Sequence, residues 1–316
     1  MHQIQVKRTL DDDELAAVTE LLAAASDADA HPALGEHAWL DLVQGGREGF
    51  AGLVAWEPDH PHPVGYAQVS LGDNGGAGHR SWALEVVVDP HHRTPGNTVA
   101  DDLVNGAIDL IAGEGGGHLH LWVSRPAPYH ERMAKAVGLS AGRALYQMRR
   151  HLPAEAHASI TTTTFRPGRD EQAWLEVNNR AFHRHPEQGG WTEETLKARE
   201  VEPWFDPEGF LLHHREGRLA GFCWTKVHHA GGSSLGEIYV IAVDPDFSGH
   251  GLGRELTLAG LDYLSARALP EAMLYVDATN VPALKLYVEL GFTVNHIDRA
   301  YTGDVAAGDV AAREGG

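Results

Sequence analysis

Cysteine is nearly absent: Cys223 stands alone, so no disulfide can close within the chain, and a reducing cytoplasm is the expected setting. Basic charge is also scarce, with 25 Lys and Arg against 44 Asp and Glu, a formal net charge of −19. A nucleic-acid partner needs a basic footprint, so none is expected. An anionic ligand would need a local site of backbone N–H groups and a few placed cations. No apolar run reaches the roughly 18 residues of a membrane span. The first residues, MHQIQVKRTLDDDEL, contain no secretory-type apolar core, so no membrane role is expected. Histidine is abundant, 21 residues, but neither HExxH nor another paired-ligand spacing occurs, and no metal is expected. The pairs His213-His214 and His228-His229 read as surface residues.

The chain does have length and apolar content: 316 residues, 43% hydrophobic, enough for two globular domains. Comparing the halves reveals an internal repeat. WALEVVVDPHHRTPGNTVADDLV (82–104) and EIYVIAVDPDFSGHGLGRELTLA (237–259) both read strand, Asp-Pro turn, glycine-bearing loop, helix. Val88-Asp89-Pro90 falls on Val243-Asp244-Pro245, and Gly96 on Gly251. HLHLWVSRPAPYHERMAKAVGL (118–139) likewise parallels EAMLYVDATNVPALKLYVELGF (271–292). Two copies of one α/β domain with a mixed α+β sheet are expected, at 1–152 and 158–303, followed by a disordered tail at 304–316. ALYQMRRHL reads as a strand closing the first copy, TTTTFRPG as a strand opening the second, and residues 170–182 as an amphipathic helix.

In the second copy an apolar strand runs into a loop with three glycines and then a helix. Glycine lets backbone approach a ligand closely, and a helix N-terminus offers unpaired N–H groups with partial positive charge. Such a place suits a pyrophosphate, with His250 and Arg254 adding positive character. A plain strand-to-helix turn, using glycine for steric reasons, explains the loop equally well.

Two motifs in order decide between these. Ser248-Gly249-His250-Gly251-Leu252-Gly253 resembles the acyl-CoA loop Q/R-x-x-G-x-G/A of the GNAT N-acetyltransferases, with serine in place of the usual first Gln or Arg. Asn280, Ala283, Tyr287, Gly291 and Phe292 match the later pattern N-x-x-A-x-x-x-Y-x-x-x-G-F. The resemblance implies tandem GNAT domains and acetyl-CoA as cosubstrate. It implies CoA contacts from Ile241, Ala242 and Val243, from the 248–254 loop, and from Asn280, Val281, Pro282, Ala283, Leu284 and Lys285. An amine must be neutral to attack a thioester, and an α-amine titrates near pH 8, so a base is needed. Glu237 is the candidate base, and Tyr287 the candidate acid for the departing thiolate. Backbone N–H groups at 241–243 would polarise the thioester carbonyl if the strand carries a bulge. The plain alternatives are a strand-edge carboxylate and a core phenol.

In the first copy Trp82, Ala127 and Ala134 stand opposite Glu237, Asn280 and Tyr287. The first copy therefore lacks both proton-transfer groups. It could still hold acyl-CoA along Val86, Val87 and Val88 and at Thr94, Pro95, Gly96, Asn97, Thr98 and Val99.

HPEQGGWT (185–192), EPWFDPEGFLL (202–212), GFCWTKVHH (221–229), LGEIYVIAVDP (235–245) and LYQMRR (145–150) lie mostly outside the motifs shared by all GNATs, and they resemble the mycothiol synthases. That resemblance implies acetylation of the cysteinyl amine of desacetylmycothiol by a cytoplasmic, monomeric enzyme. It implies substrate contacts from Glu36, Glu187, Lys226, Glu237 and Tyr275. Glu36 as a solvated helix residue and Glu187 as a turn residue are the plain alternatives, and Trp191 and Trp224 read as core. Other acceptors, an aminoglycoside-like amine or a peptide N-terminus, stay open at this level, as does a CoA-binding sensor without turnover.

Overall fold

The computed structural model describes residues 2–308 except 30, 47, 59, 73–79, 184–187 and 231–232. Glu187 and tail residues 309–316 thus lie outside the described residues. The chain divides into two compact units, Met1–Ala144 with Asp298–Gly316, and Leu145–Ile297.

The first unit holds β1 (Gln3–Lys7), α1 (Asp12–Asp29), α2 (Glu36–Val43), β2 (Ala51–Trp56), β3 (Gly65–Leu71), β4 (Ser81–Val88), α3 (Val99–Gly113), β5 (Gly117–Ser124) and α4 (Pro128–Ala136). Ahead of α1, Glu14 N–H donates to Asp11 Oδ1 at 2.9 Å and Asp11 N–H to Glu14 Oε2 at 3.2 Å, a reciprocal cap on the helix start. β1 to β4 form an antiparallel meander, and β5 joins β4 in parallel. α3 packs Val99, Leu103, Val104, Ala107 and Ile111 on one sheet face, and α1 and α2 pack on Tyr66 and Val87 at the other.

After β6 (Ser140–His151), the second unit has β7 (Thr163–Thr164), α5 (Glu171–Ala181), α6 (Glu193–Glu200), β8 (Phe210–Arg215), β9 (Arg218–Ala230), β10 (Ser233–Val243), α7 (Leu252–Ala266), β11 (Glu271–Asp277) and α8 (Val281–Glu289). β7 to β10 are antiparallel, and β11 joins β10 in parallel. The helix expected at 170–182 is α5, whereas the strand expected around TTTTFRPG shrinks to two edge residues. Trp174, Phe210, Phe222 and Trp224 form the aromatic core under α5, with Phe210 and Trp224 stacked at 4.2 Å. Trp191 is 5% exposed in the same cluster, so both tryptophans read as core are core.

The repeat is reproduced element by element, but its closing strands are exchanged. Leu145–His151 of β6 pairs antiparallel with β11 of the second unit, not with β5 of its own half. The partner of β5 is instead Asp298–Val305, the latter part of β12 (Thr293–Val305). Residues 304 and 305, expected at the head of the tail, are thus the last two of a strand.

α7 lies against β9 and β10 because Gly260 lacks a side chain: an added Cβ would stand 2.6 Å from Cys223 Sγ and 2.6 Å from Ile238 Cδ1. Gly→Ala inside a helix ordinarily stabilises it by about 1 kcal/mol. Here overpacking should win, and Gly260→Ala is expected to lower stability by about 1–3 kcal/mol, read as a lower denaturant midpoint. A raised midpoint would refute the close packing.

Candidate active site

In the second unit β10 and β11 share three residue pairs, Gly236↔Ala272, Glu237↔Met273 and Ile238↔Leu274. β10 continues to Val243, held on its other side by β9. From Tyr239 onward, its β11-facing edge has no ladder partner among the described residues. The register to β9 slips between Ile238 and Val240, a bulge that turns Tyr239 and Val240 toward the same aromatic cluster and Ile241 toward the α7 face. The bulge sequence reasoning required is present, centred on Tyr239, just before 241–243.

The turn after β10 is built on Asp244, 1% exposed, which accepts from Asp246 N–H at 2.9 Å and from Arg180 Nη1 at 2.8 Å. Gly249 and Gly251 adopt φ of +82° and +77°, which side-chain-bearing residues rarely tolerate. Gly251 is the α7 N-cap without a side-chain cap, and no acceptor for the Leu252 and Gly253 N–H groups is present among the described residues. A Cβ at Gly253 would meet only Val243 and Leu286, both at 3.9 Å. The end of β10, the start of α7 and α8 therefore lie close together, with the two uncapped α7 amides at their meeting point. Arg254 is 3.6 Å from Glu255, and the His250 ring folds onto the Ser248 carbonyl at 2.8 Å.

Glu237, 7% exposed, accepts from the His228 Nε2 at 2.6 Å. That imidazole, expected at the surface, is instead half-buried against the candidate base. His213, likewise expected outside, is buried and bonded to the Thr161 carbonyl. Period-two alternation along β9 puts His228 on the face of Lys226, which is the signal that could have found it. Lys226 stands directly across from Glu237 in the β9–β10 register, its ammonium 4.0 Å from the Trp204 ring and 5.3 Å from Tyr239.

Tyr287 is 7% exposed on α8, edge-on to Phe292 at 5.9 Å. Burial, then the Cys223 thiol, pushes the Tyr287 phenol well above its ordinary range, so it keeps its proton at neutral pH. Asn280 is the α8 N-cap, its Oδ1 accepting from Ala283 N–H at 3.3 Å. Val281, Pro282 and Lys285 are exposed beside it, and Lys285 lies 3.9 Å from Glu289. Tyr275 accepts at its hydroxyl from Gln147 Nε2 at 2.9 Å, and Gln147 Oε1 in turn accepts from Arg149 and Asn295. Gln147 and Asn295 are polar neighbours of the candidate substrate tyrosine that sequence reasoning missed, because only the strand exchange brings β6 alongside β11. In the first unit Glu36 opens α2, half-buried.

The first unit repeats the scaffold with different chemistry. β4–β5 pairing ends at Glu85↔Trp122, so Val86–Val88 also run past their parallel neighbour. Trp82 is buried and donates to the Gly116 carbonyl, and Ala134 is core. The helix start is self-satisfied: Asn97 Oδ1 accepts from Val99 N–H at 2.9 Å, and Asp101 and Asp102 sit in the first turn. Arg93 is engaged with the Val88 carbonyl at 2.9 Å and the Asp29 carboxylate at 2.6 Å. Gly96, at φ +90°, keeps open space around it.

Splayed parallel strands, a glycine turn into uncapped amides and a buried phenol on the next helix are the build of an acetyl-CoA-dependent N-acetyltransferase. Residues 172–292 match the model of the Acetyltransferase (GNAT) family. Over the whole fold, the chain resembles a tandem GNAT protein from the clavulanic acid biosynthesis pathway, with a TM-score of 0.68 at 18% identity, covering 98% of this chain and 100% of the other. A GCN5-related N-acetyltransferase from Sphaerobacter thermophilus gives a TM-score of 0.67 at 22% identity, covering 97% of each. In sequence, the chain is 44% identical to a mycothiol acetyltransferase of Acidimicrobium ferrooxidans over 90% of this chain and 92% of the relative. It is 42% identical to one of Thermobispora bispora, over 95% and 98%. The chain belongs to the mycothiol acetyltransferase family, an acyltransferase family of tandem GNAT fold. No described helix is long and apolar enough to cross a membrane.

Proposed function

We propose that this enzyme transfers the acetyl group of acetyl-CoA to the cysteinyl amine of desacetylmycothiol, forming mycothiol and free CoA in the cytoplasm. The observation that carries this reading is identity of 44% over 90% of the chain, spanning both units and not only the acyl-CoA motifs that all GNATs share. The second unit is catalytic, and the first is a structural or acetyl-CoA-binding copy.

The unpartnered edge of β10 at Ile241–Val243 receives the pantetheine arm as an added strand would be received, through backbone groups. The Ser248–Arg254 loop and the α7 amides take the pyrophosphate. Glu237 accepts the amine proton, directly or through a water, and His228, more exposed than Glu237, offers it a way to solvent. The freed nitrogen attacks the carbonyl carbon, and a bulge-adjacent N–H stabilises the oxyanion. The newly bonded nitrogen gives up its remaining excess proton to solvent by the same Glu237–His228 route, and the C–S bond breaks to leave the amide and the thiolate. Tyr287 gives its proton to the CoA thiolate and recovers one from solvent. Lys226 and Tyr275 of the second unit hydrogen-bond the inositol and glucosamine hydroxyls, which both donate and accept.

Release of free CoA thiol tests the acceptor directly. Rapid release with desacetylmycothiol and little with aminoglycosides or peptides is the expected pattern. Tight CoA binding without release for any amine would make the protein a sensor instead.

The glycine loops give a further contrast. Gly251→Ala forces a side chain into a left-handed conformation, costing about 1–2 kcal/mol, and should raise the acetyl-CoA KM about 10-fold. Gly96→Ala, at the matching position, should leave kcat near wild type. A collapse of kcat in the Gly96 variant would overturn the one-active-unit reading.

A further inference from the structure

The turn after β4 is the counterpart of the Asp244 turn, yet its buried carboxylate is neutralised differently. Asp89 is 2% exposed and accepts from His91 N–H at 2.8 Å. Asp244 receives the permanent charge of Arg180, whereas no Lys or Arg pairs with Asp89 among the described residues. Histidines surround it. His92 Nδ1 lies 3.0 Å from Asp89 Oδ1, and His62 Nε2 lies 3.9 Å from Oδ2. The His60 ring is centred 4.7 Å from His62 and 5.1 Å from His92, and Glu57 Oε2 is 3.5 Å from His92 Nε2.

The tautomers follow from the acceptors. His60 Nδ1 faces the His62 carbonyl at 2.8 Å, and His62 Nδ1 faces the Pro63 carbonyl at 3.0 Å. Carbonyl oxygens only accept, so both Nδ1 atoms carry the hydrogen, and in the neutral rings both Nε2 atoms present lone pairs. The His62 lone pair thus stands 3.9 Å from a carboxylate oxygen, an arrangement that a cation nearby would favour. One divalent ion can be reached by one donor atom each from His60, Asp89 and His92. Backbone carbonyls holding the second ring nitrogen are also the usual way to orient metal-binding imidazoles.

We propose that His60, Asp89 and His92, with His62 and Glu57 at the rim, bind a borderline divalent transition-metal ion of the zinc class. Donor atoms of His60, Asp89 and His92 lie within 4.8 Å of one another. Ligands at about 2.0–2.1 Å from one ion stand about 3.4 Å apart at the tetrahedral angle, so the half-buried rings need only small adjustments. Imidazole nitrogens beside a carboxylate favour zinc, cobalt or nickel over magnesium or calcium, which take oxygen ligands. The ion ties the loop between β2 and β3 to the turn after β4; in the second unit the corresponding turn is held by arginines instead, Arg180 from α5 on Asp244 and Arg218 from the start of β9 on Asp246. The ligands come from two stretches too far apart in sequence to form a recognisable spacing.

The test uses the full chain, stripped with a chelator and titrated with Co²⁺. One equivalent is expected to bind saturably with visible absorption, to be displaced by Zn²⁺, and to raise the melting temperature by about 5 °C at 100-fold excess over Kd. His60→Gln and His92→Gln should each weaken binding at least about 10-fold. His60 makes no hydrogen bond to Asp89, so His60→Gln preserves the test if His92→Gln fails to fold. Absence of saturable absorption, or uptake unchanged in both variants, would overturn the site and assign any bound ion to other histidines.

Discussion

The Tyr287→Phe enzyme is expected to turn over about 10²-fold more slowly than wild type, with its acetyl-CoA KM within about threefold. The substitution removes one oxygen and keeps the ring that packs on Phe292, so α8 and the core should be untouched. Among the described residues nothing hydrogen-bonds the Tyr287 hydroxyl, which leaves it available to a ligand. Its raised pKa keeps the phenol protonated at neutral pH, so it stands ready as a hydrogen-bond and proton donor to the sulfur as the C–S bond breaks. Losing proton delivery should therefore appear in kcat and leave binding alone. Steady-state kinetics with desacetylmycothiol decide the matter, and wild-type turnover would remove the phenol from the mechanism.

Glu237→Gln should cost about 10²–10⁴-fold in kcat, and the deficit should deepen as pH falls. An α-amine with pKa near 8 is mostly protonated at pH 6.5, so the variant depends on a shrinking neutral fraction. The wild-type carboxylate takes that proton within the site, and its rate falls less steeply. Gln keeps the shape and can still contact His228, which separates proton acceptance from packing. A pH–rate profile parallel to wild type, merely displaced downward, would assign Glu237 to positioning. His228→Gln should give a smaller loss, concentrated at low pH, because it removes the route for the proton and not its first acceptor.

Local chemistry made the β10–α7 and β11–α8 segments legible. An apolar strand, an Asp-Pro turn, glycines with positive φ and an Asn cap act over a few residues, and each appears where the residue pattern put it. Strand partnership did not follow from the same rules. β6 and β12 are long strands of 12 and 13 residues at equivalent places in the repeat, and nothing in either selects β5 over β11. That choice is made by packing between residues more than a hundred positions apart. Gln147 and Asn295 became visible beside Tyr275 only through it. His228 escaped for a related reason: its burial depends on a carboxylate on the neighbouring strand, and an isolated His-His pair carries no mark of that neighbour.

The exchange of closing strands also governs how the protein can be made. During synthesis the first sheet waits, one edge open, until residues 298–305 have left the ribosome, although most of that unit is encoded in the opening half. A gene cut between residues 152 and 158 would yield two fragments, each carrying the strand the other requires. Mixing them should restore activity that neither half possesses alone.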